Sequence, residues 1–193
     1  AQIDNGVIFS FHRLAIIDTS EKGNQPLRLG NLSLVCNGEI YNHKSLKEKF
    51  GFKTSSDSDC EVILHLFKKF GIEKTLPMLD GVFAFALYDG DSGVTYAARD
   101  PFGVRPAFFG QGNKDGEVIF ASEAKAMSDL CHTIVPMPPG TWWSSKDPQS
   151  FTSHYCHAYT IDNSLSEEEI LLEIRRRLVY AVEKRLMSDR EVG

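Results

Sequence analysis

A chain of 193 residues with 42% hydrophobic and 24% charged content has room for one domain with a sizeable core. Its net charge of −5 argues against broad binding to nucleic acid or anionic membranes, which needs a basic face. No apolar run approaches the roughly 18 residues of a membrane-spanning helix, and no basic segment leading into an apolar one opens the chain.

Residues 7–11 read as a strand, with residues 13–17 as its continuation or a second strand. Residues 21–30 hold Gly23, Asn24, Pro26 and Gly30 and read as a surface loop. Residues 32–37 form the next apolar strand, which runs into Asn37-Gly38-Glu39. Two readings of that trio stand side by side. Asn-Gly is the strongest short hairpin signal. The same residues also suit small-molecule chemistry: glycine permits close backbone approach, an Asn side-chain N–H beside a Gly N–H makes an oxyanion hole, and a Glu binds an amine or amide.

Residues 44–50 follow as an amphipathic helix that Asn42 could cap, and Ser56, Asp57, Ser58 and Asp59 offer caps for a helix over 60–70. There Val62, Ile63, Leu66 and Phe67 recur at helical spacing. Residues 72–79 make a shorter helix limited by Pro77. From Gly81 the pattern turns to strands. Residues 82–88 are apolar on both faces, 90–93 turn the chain, and 94–98 return it. Two more strands are expected over 106–110 and 118–121, a helix over 123–130, and a late strand at 141–143 whose Trp142-Trp143 pair suits a core. Residues 144–163, rich in Ser, Asp and His, read as a linker. The last element covers 165–188, opened by a Ser166/Glu169 capping box and striped by Ile170, Ile174, Leu178, Ala181 and Leu186. Hairpins flanked by helices point to a layered α+β protein.

The spacing of Cys36, Cys60, Cys131 and Cys156 fits no paired zinc pattern and no dense disulfide framework, so they read as reduced thiols. Cys60 lies between Asp59 and Glu61, whose charges raise a thiol pKa; it reads as a packed helix residue rather than a nucleophile. His154-Tyr155-Cys156-His157 lacks further spaced ligands, and no metal is expected there. The Arg175-Arg176-Arg177 run reads as a solvated helix face.

Several segments together resemble a known family: Phe11-His12-Arg13-Leu14-Ala15-Ile16-Ile17-Asp18, Asn37-Gly38-Glu39-Ile40-Tyr41-Asn42, Ser58-Asp59-Cys60-Glu61, Asp80-Gly81-Val82-Phe83, Arg99-Asp100-Pro101-Phe102-Gly103-Val104-Arg105-Pro106, Phe120-Ala121-Ser122-Glu123 and Met187-Ser188-Asp189. In order along nearly the whole chain, they resemble the glutaminase domain of class II (Ntn-type) glutamine amidotransferases, and among these the asparagine synthetases. The resemblance implies a four-layer αββα sandwich with antiparallel sheets. It places a glutaminase domain at 1–144, a linker at 145–163, and a helix at 164–193 leading into a synthetase domain.

By the same resemblance, Arg13 holds the α-carboxylate of L-glutamine and Asp59 its α-ammonium. Asn37 and Gly38 form the oxyanion hole, and Glu39 contacts the amine or amide. Main-chain groups of Leu14, Ala15, Ile16 and Ile17 line the same pocket. Arg99 and Asp100 are implied to be a buried structural ion pair, and Phe102-Gly103 a turn. Family members begin with a nucleophilic Cys, whereas this sequence opens at Ala1, so the expectation is a binding pocket inactive by itself. The implied parent is a cytoplasmic enzyme that amidates aspartate with glutamine-derived ammonia. ATP and magnesium belong to its synthetase domain, and no cofactor belongs to this chain. Expected partners are L-glutamine, that synthetase domain and a second copy in a homodimer, with no nucleic acid and no membrane. Two rival readings are a binding module without catalysis and an amidotransferase domain serving another acceptor.

Overall fold

The computed structural model describes residues 2–4, 6–114, 116–156, 159 and 164–191. In chain order the elements are β1 (Gln2–Asp4), β2 (Val7–Phe9), β3 (Leu27–Leu29), β4 (Leu32–Ile40), α1 (His43–Phe50), α2 (Glu61–Phe70), α3 (Ile72–Thr75), β5 (Gly81–Asp89), β6 (Val94–Arg99), β7 (Phe108–Gly112), β8 (Val118–Ala121), β9 (Cys131–Pro136), β10 (Thr141–Ser144), β11 (Asp147–Ser153) and α4 (Glu167–Glu183). Six strands form an antiparallel sheet in the order β11-β10-β6-β5-β4-β3, and three form a second, β8-β7-β9. β1 and β2 make a separate hairpin.

Side-chain alternation along the central strands sorts two cores. One face of the large sheet presents Leu34, Cys36 and Ile40 of β4 with Phe83, Phe85 and Leu87 of β5. These pack against Val62, Ile63, Leu66 and Phe67 of α2. Each fully buried aliphatic or Phe side chain contributes about 1.5–3 kcal/mol relative to exposure, so this face dominates the stability of the domain. The opposite face presents Ala97 and Trp143 to Phe109 of β7, with Val118, Phe120 and Phe151 around them. The Phe109 ring sits 5.4–5.7 Å from the rings of Phe120, Trp143 and Phe151, in edge-on or tilted contacts. One residue along β7, Gly110 turns the other way, towards Met127 of a 3-10 turn, Ala124–Met127. Helices, large sheet and small sheet therefore stack in that order, an antiparallel α+β sandwich of the Ntn-hydrolase type whose fourth layer is reduced to this single turn.

Several expectations from the sequence are corrected. Residues 13–17 form no strand. β3 lies inside the stretch read as a loop. The helix expected over 123–130 shrinks to a single 3-10 turn. β9 was not anticipated, and β11 falls in the segment read as a linker; residues 157, 158 and 160–163 of that segment lie outside the described residues. Asn42 does sit at the start of α1 but makes no cap bond with its side chain, which bridges the Met78 carbonyl (2.8 Å) and the Asp80 amide (3.1 Å) instead. The capping box of α4 forms as read. No residue of α4 is buried, and Leu172, Leu178 and Tyr180 are more than half exposed.

The structure also decides between the two readings of Asn37-Gly38. There is no turn. β4 continues to Ile40, and its pairing with β5 runs unbroken from Leu32 opposite Asp89 to Ile40 opposite Gly81. Gly38 lies opposite Phe83, and a Cβ there would strike the Val82 carbonyl and the Phe83 backbone. Glycine here permits close strand approach rather than chain reversal.

Candidate active site

Alternation along β4 sends Cys36 and Ile40 into the helix-facing core, and Asn37 and Glu39 to the opposite face. A cavity of about 1240 Å³ opens on that side. Arg13, Leu14, Ile16, Ile17, Asn37, Gly38, Glu39 and Asp59 all line it, although they come from three separated stretches of sequence; Ala15 does not. Arg105 and Ser122 also line it, and the sequence reading assigned neither to the site.

Main-chain amides alternate between the two edges of a strand. Tyr41 points its amide at the Asp80 carbonyl on the β5 side (2.7 Å), so the amides of Cys36, Gly38 and Ile40 point to the other edge. β3 covers that edge only as far as Leu34. Beyond it the Gln25 carboxamide takes over, accepting from the Cys36 amide at 2.6 Å and donating to the Cys36 carbonyl at 3.0 Å. The Ile40 amide donates to Asp59 Oδ2 at 2.6 Å. Between these two, the Gly38 amide has no partner among the described residues. The Asn37 carboxamide is near by on the cavity face, donating to Ser122 Oγ at 3.3 Å.

Asp59 is held in place by its neighbours. The Glu61 carboxylate, at the first turn of α2, accepts from the amides and hydroxyls of both Ser55 and Ser56. This folds the preceding loop onto the helix and buries Asp59. Burial, helped by the nearby Glu39 charge, raises the Asp59 pKa above the ordinary carboxylate value, against the pull of the Ile40 amide. Glu39 faces Arg105 at 3.9 Å, and the buried Nε of Arg105 has no hydrogen-bond partner among the described residues.

The opposite wall is the irregular stretch 13–20, organised from within by Arg13. Its guanidinium donates to the Ser20 carbonyl (2.9 Å), Asn24 Oδ1 (3.2 Å), the Ile17 carbonyl (3.0 Å) and the Asp18 carbonyl. Arg13 therefore lines the cavity with most of its donors already engaged. Asp18, in the left-handed region at φ 55°, accepts from the Ser20 amide (3.0 Å), the Ser20 hydroxyl and the Asp57 amide (2.9 Å). Burial pushes its pKa up, but those bonds and the Arg13 charge outweigh burial and hold it below the usual value.

Cys36, Cys60 and Cys131 are buried. The Cys60 thiol is pushed well up, first by its hydrogen bond with Cys36 and then by burial and the Asp59 charge, so it is a poor nucleophile. Arg99 and Asp100 are both structural, but they do not act as the expected ion pair. Arg99 donates to the carbonyls of Arg105, Met137 and Gly103. Fully buried Asp100 accepts from the amides of Phe83, Phe102, Val104 and Arg105. The turn at Phe102-Gly103 forms, with Gly103 at φ 64°. His154 Nε2 meets the Arg99 carbonyl at 2.9 Å; His157, its companion in the metal motif considered above, lies outside the described residues. No described helix is long and apolar enough to cross a membrane.

Residues 1–141 match the family model of the glutamine amidotransferase domain. The chain is 42% identical to asparagine synthetase [glutamine-hydrolyzing] 2 of Arabidopsis thaliana over 94% of its own length and 31% of that protein. It is 41% identical to a probable glutamine-hydrolysing asparagine synthetase of Dictyostelium discoideum (96% of this chain, 35% of that protein) and 36% identical to one of Acanthamoeba polyphaga mimivirus (98% and 38%). It thus spans about a third of the length of these relatives. Among solved structures it resembles the glutamine phosphoribosylpyrophosphate amidotransferase of B. subtilis, with a TM-score of 0.54 and 29% identity over 65% of this chain and 30% of that one. Sequence, fold and the cavity beside β4 agree: this chain belongs to the glutamine amidotransferase domain family.

Proposed function

We propose that the cavity binds L-glutamine and that the domain serves the amide-hydrolysing step of an asparagine synthetase, releasing ammonia for amidation of aspartate. The observation that carries this reading is the Gly38 amide, without a partner among the described residues and flanked by the Asn37 carboxamide, in a cavity that also holds one buried carboxylate and two guanidinium groups. Amide hydrolysis passes through a tetrahedral oxyanion, and two preorganised N–H donors side by side are what it requires. The α-ammonium pairs with Asp59 through the carboxylate oxygen that does not accept from Ile40, and Glu39 shares the neighbouring negative field. For the α-carboxylate, Arg13 exchanges its exposed bonds to Ser20 and Asn24 for the ligand and keeps its inner bonds to Ile17 and Asp18. In this reading these residues bind and polarise the substrate.

Calorimetric titration of the purified chain with L-glutamine tests the reading, with D-glutamine and L-aspartate as controls. The expected result is saturable binding of L-glutamine alone, weakened about tenfold or more in Arg13→Ala and in Asp59→Ala, the loss expected for a charge-assisted hydrogen bond. Undetectable binding, or binding indifferent to both substitutions, overturns it.

A further inference from the structure

The loop that forms one wall of the cavity is held from outside as well as by Arg13. Beyond α4, the stretch 184–190 starts beside the end of β4 and the start of β5. Lys184 Nζ meets both Asp80 carboxylate oxygens at 2.8 Å, just ahead of β5, and the Arg185 guanidinium lies 4.9 Å from the Tyr41 ring, just after β4. The chain then reaches residues 13–18. The Asp189 amide donates to the Ile16 carbonyl (2.9 Å), Asp189 Oδ2 accepts from the Asp18 amide (2.7 Å), and Arg190 Nε donates to the Ala15 carbonyl (3.3 Å). The Arg190 amide in turn donates to Ser188 Oγ at 2.9 Å, closing the short segment on itself.

We infer that Asp189 is a positioning residue for the substrate loop, fixing the main chain of residues 15–18 so that the loop presents its cavity-lining groups to the ligand. Division of labour within the loop supports this. Arg13 takes the carbonyls of Ile17, Asp18 and Ser20, all on the inner side. The carbonyls of Ala15 and Ile16 and the amide of Asp18 are taken from the other side, by Arg190 and Asp189. A loop with no ladder of its own needs both sets, because an irregular segment with unpaired main-chain groups samples many conformations. Asp189 supplies one donor and one acceptor from a single residue, and its carboxylate makes the acceptor charge-assisted. The segment after α4 and the glutamine site are then thermodynamically linked: whatever moves residues 188–190 alters the loop, and a ligand that orders the loop favours the docked segment.

The consequence for binding rests on the glutamine reading above, but the latch itself is tested without ligand. Amide hydrogen exchange is measured residue by residue on the 193-residue chain, on Asp189→Ala and on Asp189→Asn. Asp189→Ala is expected to speed exchange at the Asp18 amide about tenfold or more and to leave the core of α2 unchanged, because only a local opening is released. Asp189→Asn keeps an acceptor oxygen and restores most of the protection. L-Glutamine affinity should fall with Asp189→Ala and recover with Asp189→Asn. Unaltered exchange at Asp18 in Asp189→Ala overturns the inference. So does exchange that rises equally in α2, or an Asp189→Asn variant that exchanges as fast as Asp189→Ala. If the unsubstituted chain binds no glutamine, the ligand reading fails while the exchange comparison still decides the latch.

Discussion

The two walls of the cavity are built by different physics. The β4 wall takes its geometry from nine consecutive pairings with β5, so that Asn37 and Glu39 fall on one face and Gly38 aims its amide at the open edge. The loop wall, residues 13–20, has no ladder and takes its shape from side chains that seize main-chain groups: Arg13 and Asp18 from within, Asp189 and Arg190 from outside. A sheet wall fails all at once when its register is disturbed. A loop wall can loosen one bond at a time and still leave the domain folded.

The strongest way to break this contrast is Gly38→Ala. Its Cβ would collide with the Val82 carbonyl and Phe83 Cα, backbone atoms that cannot swing aside. A cost of about 3 kcal/mol is expected, read as a lower urea midpoint with an unchanged slope. A loss under about 0.5 kcal/mol would show that β4 and β5 can separate freely.

Asp18→Asn tests the loop wall and should cost less, about 2 kcal/mol at pH 7, because a carboxamide must turn its NH2 towards one of the donors that Asp18 accepts from. The pH dependence has a definite sign. The Asp18 pKa is depressed in the folded protein, so its contribution is present above the unfolded carboxylate value of about 4 and is lost as pH falls through the lower folded value. The stability gap between variant and parent should therefore close in acid. A gap that is constant from pH 7 to pH 3 would contradict the assignment.

Asp59→Asn should have the smallest effect on stability, and the opposite one. The Asp59 pKa is raised by burial, so its charge penalises the folded state above about pH 4, and that penalty disappears below it. The variant should melt slightly higher than the parent at pH 7 and equally below pH 4, while binding L-glutamine more weakly. A variant that is destabilised at pH 7 would mean that Asp59 serves the fold rather than the ligand.

The same division explains what could be read from the sequence. Strands β4, β5, β6 and β8 were legible because they are apolar, as was α2, and the capping box of α4 is a local signal. β11 was not, because its sequence Asp-Pro-Gln-Ser-Phe-Thr-Ser is polar and mostly exposed; main-chain pairing with β10, with Phe151 as its core contact, makes it a strand. β9 is likewise mostly exposed. Asn37-Gly38 left two readings open because its turn signal is local, whereas Gly38 answers to Phe83 on another strand. Arg13, Asn37, Glu39 and Asp59 were singled out by resemblance, and the structure brings them to one cavity. Arg105 stands in the resembling segment 99–106, where nothing in the sequence marks it for the cavity. Nothing in the spacing of residues 13–20 and 189 could announce that a residue so distant in sequence holds the loop.

Gln25 has one further consequence. An uncovered strand edge invites another chain to add to it, since a row of free donors and acceptors is a template. Here the row is interrupted: the Gln25 carboxamide stands in for a strand at Cys36, and the Asp59 carboxylate covers Ile40. A single N–H between two occupied positions offers an incoming strand no ladder to climb, yet its residue still lines the cavity. The edge of β4 is thus closed to a pairing strand while one main-chain donor stays uncommitted among the described residues.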